Sequence, residues 1–137
     1  MRIYWAVRRP RTRAVRCLIR RGDEILLVRH AYGDRRWGFP GGSIKRSEAP
    51  AHAATREVRE ELGLELDGWR ELVAVRAALY GRREITWYLT VDAVDDEVHE
   101  LSGELSEVSW FPVARLPARR SQEVDRAAHS GLLSASA

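Results

Sequence analysis

The stretch Gly42-Ser-Ile-Lys-Arg-Ser-Glu48-Ala-Pro50-Ala-His-Ala-Ala54-Thr-Arg56-Glu57-Val58-Arg-Glu60-Glu61-Leu62-Gly63-Leu64 decides how the chain is read. It predicts a glycine-lined loop, then a helix, then a glycine stop. Ser47 offers a hydroxyl that can take up an orphan backbone N–H as an N-cap. Pro50 falls in the first turn, where a missing N–H costs little. The alanines inside favour helix, and Gly63 suits the left-handed position just past the end. At about 100° per residue, Ala51, Ala54, Val58 and Leu62 lie within about 80° of one another and form an apolar stripe. Glu57, Glu60 and Glu61 fill an adjacent arc of about 100°. Three carboxylates this close repel each other. Divalent cations would relieve the repulsion, and hard oxygen ligands suit Mg2+, with Mn2+ as a substitute. The alternative is an acidic face turned to water.

The same residues carry a family likeness. Gly42, Glu48, Arg56, Glu57, Val58, Glu60, Glu61, Gly63 and Leu64 fill every fixed place of the pattern Gly-x5-Glu-x7-Arg-Glu-U-x-Glu-Glu-x-Gly-U, with U a bulky aliphatic residue. This resembles the signature of the Nudix hydrolases, the MutT-like nucleotide pyrophosphohydrolases. The resemblance implies a metal site made by Glu57, Glu60, Glu61 and the Gly42 carbonyl, with Glu60 and Glu61 its firmest pair. It implies that Arg56 orients the glutamates, a bidentate guanidinium being suited to that. Glu48 is either a water-orienting residue or an anchor for the helix start. The general base varies in this family: Glu60, Glu61 or a downstream acid. Glu107 resembles an extra metal-binding or basic glutamate of some members, against the reading of an exposed strand-edge carboxylate, and Glu104 is a weaker candidate. Two departures stand out: Ser43 replaces a third glycine, and Ser47 the common glycine before Glu48.

Just upstream, Trp37-Gly-Phe-Pro40-Gly-Gly42 looks like the family's Trp-x-(Leu/Phe)-Pro-Gly-Gly lead-in; Pro40 and the glycines let the backbone turn and approach a ligand closely. Further outward, residues 13 to 20 and 24 to 29 predict a hairpin across Arg21-Gly22-Asp23. A polar loop follows from His30. Residues 2 to 9, with Ile3, Tyr4, Trp5 and Val7, predict an edge strand ended by Pro10. Downstream, strands are expected over 72 to 80 and 85 to 91, the latter turning Ile85, Trp87, Leu89 and Val91 one way and Thr86, Tyr88 and Thr90 the other. A loop over 92 to 105, a strand over 107 to 111, a short turn over 113 to 116 and a closing helix over 119 to 130 with Val124 and Ala128 inward complete the chain. Gly131 onward is expected to fray. Strands flanking one central helix, with a second helix late, indicate α+β. The resemblance narrows this to a Nudix-type α/β/α sandwich around a mixed sheet, one domain over 1–137.

The chain has 137 residues and a net charge of +3, with Lys45 its sole lysine. That length suits one domain with a real core. The absence of a spanning apolar run and of a leader pattern predicts a soluble cytoplasmic protein. Cys17, the lone cysteine, has no disulfide partner in the chain and reads as a buried packing thiol. A sequence pI near 9.5 suits collection of polyanionic nucleotides. Arg29, Arg35, Arg36 and Lys45 could grip phosphate; Tyr4, Trp5, Trp37, Tyr80 and Trp87 could stack a base. Of these, Arg29, Arg36, Trp37 and Tyr80 are taken as the substrate-binding set. Tyr80 resembles a tyrosine that accompanies dinucleoside polyphosphates in some members, while the proline that goes with ADP-ribose is not seen. The implied reaction is hydrolysis of a nucleoside diphosphate linked to a group X: a nucleoside triphosphate, dinucleoside polyphosphate or nucleotide sugar. The competing reading is a non-catalytic nucleotide-sensing or nucleic-acid-binding domain. Many relatives dimerise, so a homodimer fits the resemblance.

Overall fold

The computed structural model describes residues 11–79, 81–93 and 101–134. The expected edge strand at 2–9 and Tyr80 lie outside them, as do residues 94–100 of the expected acidic loop. The elements, in order, are β1 (Arg11–Arg21), β2 (Glu24–His30), β3 (Gly41–Ser43), α1 (Pro50–Leu62), β4 (Arg70–Leu79), β5 (Arg82–Asp92), β6 (Leu105–Pro112), a 3-10 turn (Val113–Arg115), α2 (Gln122–His129) and a last 3-10 turn (Leu132–Ser134).

One sheet holds the six strands in the order β4-β5-β1-β2-β6, with β3 also paired to β1. β1 runs parallel to β5 over Arg11↔Arg83 to Arg20↔Asp92; β1–β2, β1–β3, β2–β6 and β4–β5 are antiparallel. Along its other edge β1 changes partner: Ala14 to Arg16 face β3, and Arg20 and Arg21 face β2. The chain between those pairings passes close by, with Cys17 N–H donating to the Pro40 carbonyl at 2.8 Å. That gap in the sheet brings the Gly41–Gly42 backbone beside α1.

Period-two alternation sorts the strand residues onto two cores. Val15, Cys17, Ile19, Leu26, Val28, Leu89 and Val91 meet Ala53, Ala54, Val58 and Leu62 of α1. Leu18, Ile25, Leu27 and Tyr88 meet Val124 and Ala127 of α2, with Trp37, Phe39 and Leu133. Helix, mixed sheet and helix therefore form the expected three layers. Cys17 is fully buried.

Four local expectations are corrected. Ser47 is not the N-cap: α1 starts at Pro50 behind Ala49, which is extended and makes no side-chain cap bond. A residue before proline is kept out of the helical region, so the helix cannot start earlier. Ser47 instead takes φ +67°, a conformation better suited to glycine. The expected glycine-lined turn at Gly41–Ser43 is a short strand, β3, because β1 supplies it a partner. The closing helix is shorter than expected, with Ser121 capping the Val124 N–H and Ala127, more than Ala128, turned inward. After Gly131 the chain does not fray at once, because Leu133 is buried against α2 and the Leu132 carbonyl accepts from Arg20 Nη2 at 2.7 Å.

Candidate active site

Arg56 organises the face of α1. It is nearly buried, with 11% of its side chain exposed, and every polar arm has a partner. Nε and Nη2 donate to the two Glu48 oxygens, both at 2.8 Å. Nη2 also reaches the Ser43 carbonyl at 2.9 Å. Nη1 donates to Glu57 Oε1 at 2.9 Å and, one turn on, to Glu60 Oε2 at 3.4 Å. One guanidinium thus ties the helix start, two glutamates and the loop after Gly42 into a single unit, and the Glu48 contact raises its pKa further.

Glu48 has no idle oxygen. Oε1 also accepts the Lys45 N–H at 2.9 Å, and Oε2 lies 2.9 Å from His52 Nδ1. The Arg56 fork holds this carboxyl well below the usual carboxylate range. The carboxyl thus ties the Lys45 backbone to Arg56 and His52 of α1. His52, four residues after Glu48, meets it at the i,i+4 spacing that brings helical side chains together.

Glu61 departs from the simple acidic-face picture. It is only 7% exposed, because its position is about 20° from Ala54 on the helical wheel, at the edge of the apolar stripe. Its Oε1 accepts the Gly41 N–H at 2.9 Å. Burial pushes its pKa up to about 7, partly countered by the Gly41 bond and reinforced by the nearby charge of Glu57. Glu104 adds to the same upward push, and the neighbouring Ser102 N–H donates to the Glu61 carbonyl at 3.0 Å. The acid weighed least from sequence is therefore close to this carboxyl.

The two glycines act differently. A Cβ on Gly41, at φ +153°, would meet the Val15 carbonyl oxygen at 2.1 Å, whereas on Gly42 it would meet the Glu57 carboxyl at 2.5–2.7 Å. Gly41 lets the backbone lie against β1; Gly42 leaves the space that the Glu57 carboxyl uses.

The remaining expected residues lie elsewhere. Glu107 faces Arg29 across β2 and β6, and the two pair at 3.0 Å. Arg29 Nε also donates to the Arg35 carbonyl, and its guanidinium stands 5.5 Å from the Trp37 ring centroid. Trp37 is 9% exposed and packs edge-on to Phe111 at 4.8 Å, so it serves the core rather than presenting a free face to a base. Arg36 is exposed and faces Asp34 at 3.8 Å. Trp87 is packed against the α1-side core.

Among the described residues no three Asp, Glu, His or Cys side chains already converge as a metal-binding group. Glu57 and Glu60 are held by Arg56, and Glu61 turns to Gly41. The residues nonetheless fit a divalent ion in kind. Their donors are carboxylate oxygens, one guanidinium is shared by the three carboxylates of Glu48, Glu57 and Glu60, and the space left by Gly42 opens onto the Glu57 carboxyl.

A family model described as the NUDIX domain matches residues 10–130. An ADP-ribose pyrophosphatase from Mycobacterium tuberculosis is 31% identical over 116 residues, which span 80% of this chain and 56% of that protein. An RNA pyrophosphohydrolase from Teredinibacter turnerae is 29% identical over 139 residues, spanning 80% of this chain and 81% of that one. The chain thus spans only about half the length of the mycobacterial relative. The crystal structure of a MutT Nudix hydrolase from Burkholderia pseudomallei superposes with a TM-score of 0.77 at 23% identity, covering 88% of this chain and 97% of that one. No helix among the described residues is long and apolar enough to cross a membrane. With a matched region this long lying over the Arg56-centred loop and helix, the chain belongs to the Nudix family.

Proposed function

We propose that this protein hydrolyses a phosphoanhydride bond in a nucleoside diphosphate joined to a further group X, with Mg2+ or, in its place, Mn2+. The observation that carries this reading is the Arg56 hub, which gathers Glu48, Glu57, Glu60 and the Ser43 carbonyl beside Gly42. Relatives named for cleaving ADP-ribose and RNA pyrophosphates support it.

The diphosphate is polyanionic and resists an incoming oxygen nucleophile. The Gly42 carbonyl with Glu57, Glu60 and Glu61 would hold the ion, which neutralises phosphate oxygens and makes a water more acidic. The chain's own residues do the remaining work. Arg56 keeps Glu57 and Glu60 turned to one side before substrate arrives, which lowers the cost of assembling the site. The Gly41 N–H fixes one oxygen of Glu61. Glu48 anchors the loop to the helix, and the acids placed to take a proton from the attacking water are Glu60, Glu61 or the downstream Glu104 near Glu61.

The test is hydrolysis of a nucleotide panel with Mg2+ or Mn2+ by the wild type, Glu60→Gln and Glu61→Gln. The reading expects turnover by the wild type and a loss of at least about a hundredfold in each variant. An inactive wild type, or undiminished variants, would overturn it.

A further inference from the structure

Across β3 from the acidic face lies a second feature, which the reaction above leaves unused. A recess of about 630 Å³ is lined by Thr12, Arg13, Ala14, Arg16, Gly42, Ser43, Arg82 and Glu84. Its volume lies in the usual range for small-molecule sites. Gly42 and Ser43 form one wall of it and also border the Glu57 carboxyl and Arg56, so the two spaces share a boundary one strand thick.

Its lining carries three guanidiniums and one carboxylate. Arg16 is partly neutralised, because its Nε donates to both Glu123 oxygens at 2.9 and 3.1 Å. Arg13 has no carboxylate partner among the described residues: its arms reach the Lys45 carbonyl at 2.9 Å and the Glu48 carbonyl at 3.5 Å, which orient its charge without cancelling it. Arg82 is exposed at the head of β5. With Glu84 and Glu123 set against three guanidiniums the recess keeps a net positive lining, while the Glu57 carboxyl lies against Gly42.

We propose that this recess receives an anionic group of X, a phosphate beyond the diphosphate that is cleaved. The inference rests on the hydrolase reading and deepens it by naming the substrate class: phosphate-bearing X is favoured over an uncharged sugar. Guanidiniums suit this task, since they present paired N–H donors that match phosphate oxygens. A polyphosphate chain running past Gly42 and Ser43 would place one end beside the acidic face, where an ion would be held, and the other in the basic recess, and so would bind in one direction only.

The experiment measures kcat and KM for ATP and ADP-ribose, which share the adenosine diphosphate and differ in whether X is charged. The wild type is expected to favour ATP. Arg82→Gln should raise KM for ATP about fivefold with kcat little changed, leave KM for ADP-ribose unaltered, and be partly rescued in Arg82→Lys. A wild-type preference for ADP-ribose, or an Arg82→Gln effect that is equal on the two substrates or absent, would overturn the inference while leaving the hydrolase reading intact. Should the wild type cleave neither substrate, the hydrolase reading is decided by the wider nucleotide panel. The recess is then judged by calorimetric binding of the uncleavable α,β-methylene analogue of ATP: weaker binding by Arg82→Gln supports the inference and equal binding overturns it.

Discussion

Gly42→Ala separates the site from the fold at a single atom. The added Cβ would sit 2.5 Å from Glu57 Cδ, 2.6 Å from Oε1 and 2.7 Å from Oε2, where ordinary contact begins at 3.4 Å. The carboxyl must therefore retreat by about 1 Å, a shift comparable to those that cost about a hundredfold in rate. Retreat also strains the 2.9 Å bond to Arg56 Nη1. A hundredfold fall in kcat/KM corresponds to about 2.7 kcal/mol of lost transition-state stabilisation. Stability should barely change, because the obstructing atoms end a flexible side chain. Replacing glycine with alanine also reduces unfolded-chain entropy by about 0.4–1 kcal/mol where the native backbone permits it. Gly41→Ala is the control. Its Cβ would meet backbone only, at 2.1 Å from the Val15 oxygen and 3.0 Å from the Val15 carbonyl carbon, in a positive-φ conformation. It should cost about 2–4 kcal/mol in denaturant unfolding. Steady-state kinetics and urea melts on both variants decide the matter. Gly42→Ala with kcat/KM within about threefold of wild type, or as unstable as Gly41→Ala, would refute the division of labour drawn here.

Arg56→Lys keeps the charge but loses the fork onto Glu48, and urea unfolding should show a loss of about 2 kcal/mol with weakened Mn2+ binding. Glu48 titrates below its unfolded value of 4.5, so its contribution is present above that value and is lost as pH falls through it towards the folded pKa. Unfolding measured against pH should show this acid-limb loss in the wild type and a flatter limb in Glu48→Gln. Glu61 has the opposite sign. Its folded pKa of about 7 lies above the unfolded 4.5, so metal-free stability should decline as pH rises between those values, and Glu61→Gln should remove the decline.

Much of the site was legible because it is local. Glu48, Arg56, Glu57 and Glu60 lie within four helical turns, where spacing alone decides which side chains meet. The hairpin of β1 and β2 and the alternation of β5 were legible for the same reason. The burial of Glu61 was not legible, because wheel position does not say how far the neighbouring core reaches. Ser47 was misplaced because the proline three residues on outweighs the capping preference of a serine. β3 has no pattern of its own: three residues gain strand geometry only from the partner β1 supplies. Trp37 could be read as a stacking surface until Phe111, distant in sequence, was seen against it. Arg16 and Glu123, 107 residues apart, form a link between β1 and α2 that no local rule could supply.

The most direct measurement is Mn2+ titration by calorimetry of the wild type, Glu57→Gln and Glu60→Gln, with each variant shown to be folded by its urea melt. The account predicts saturable binding by the wild type that is weakened about tenfold or more in each variant. Wild-type protein that takes up no Mn2+ even with nucleotide present, or variants that bind it as tightly, would contradict the claim that these carboxylates form a metal site.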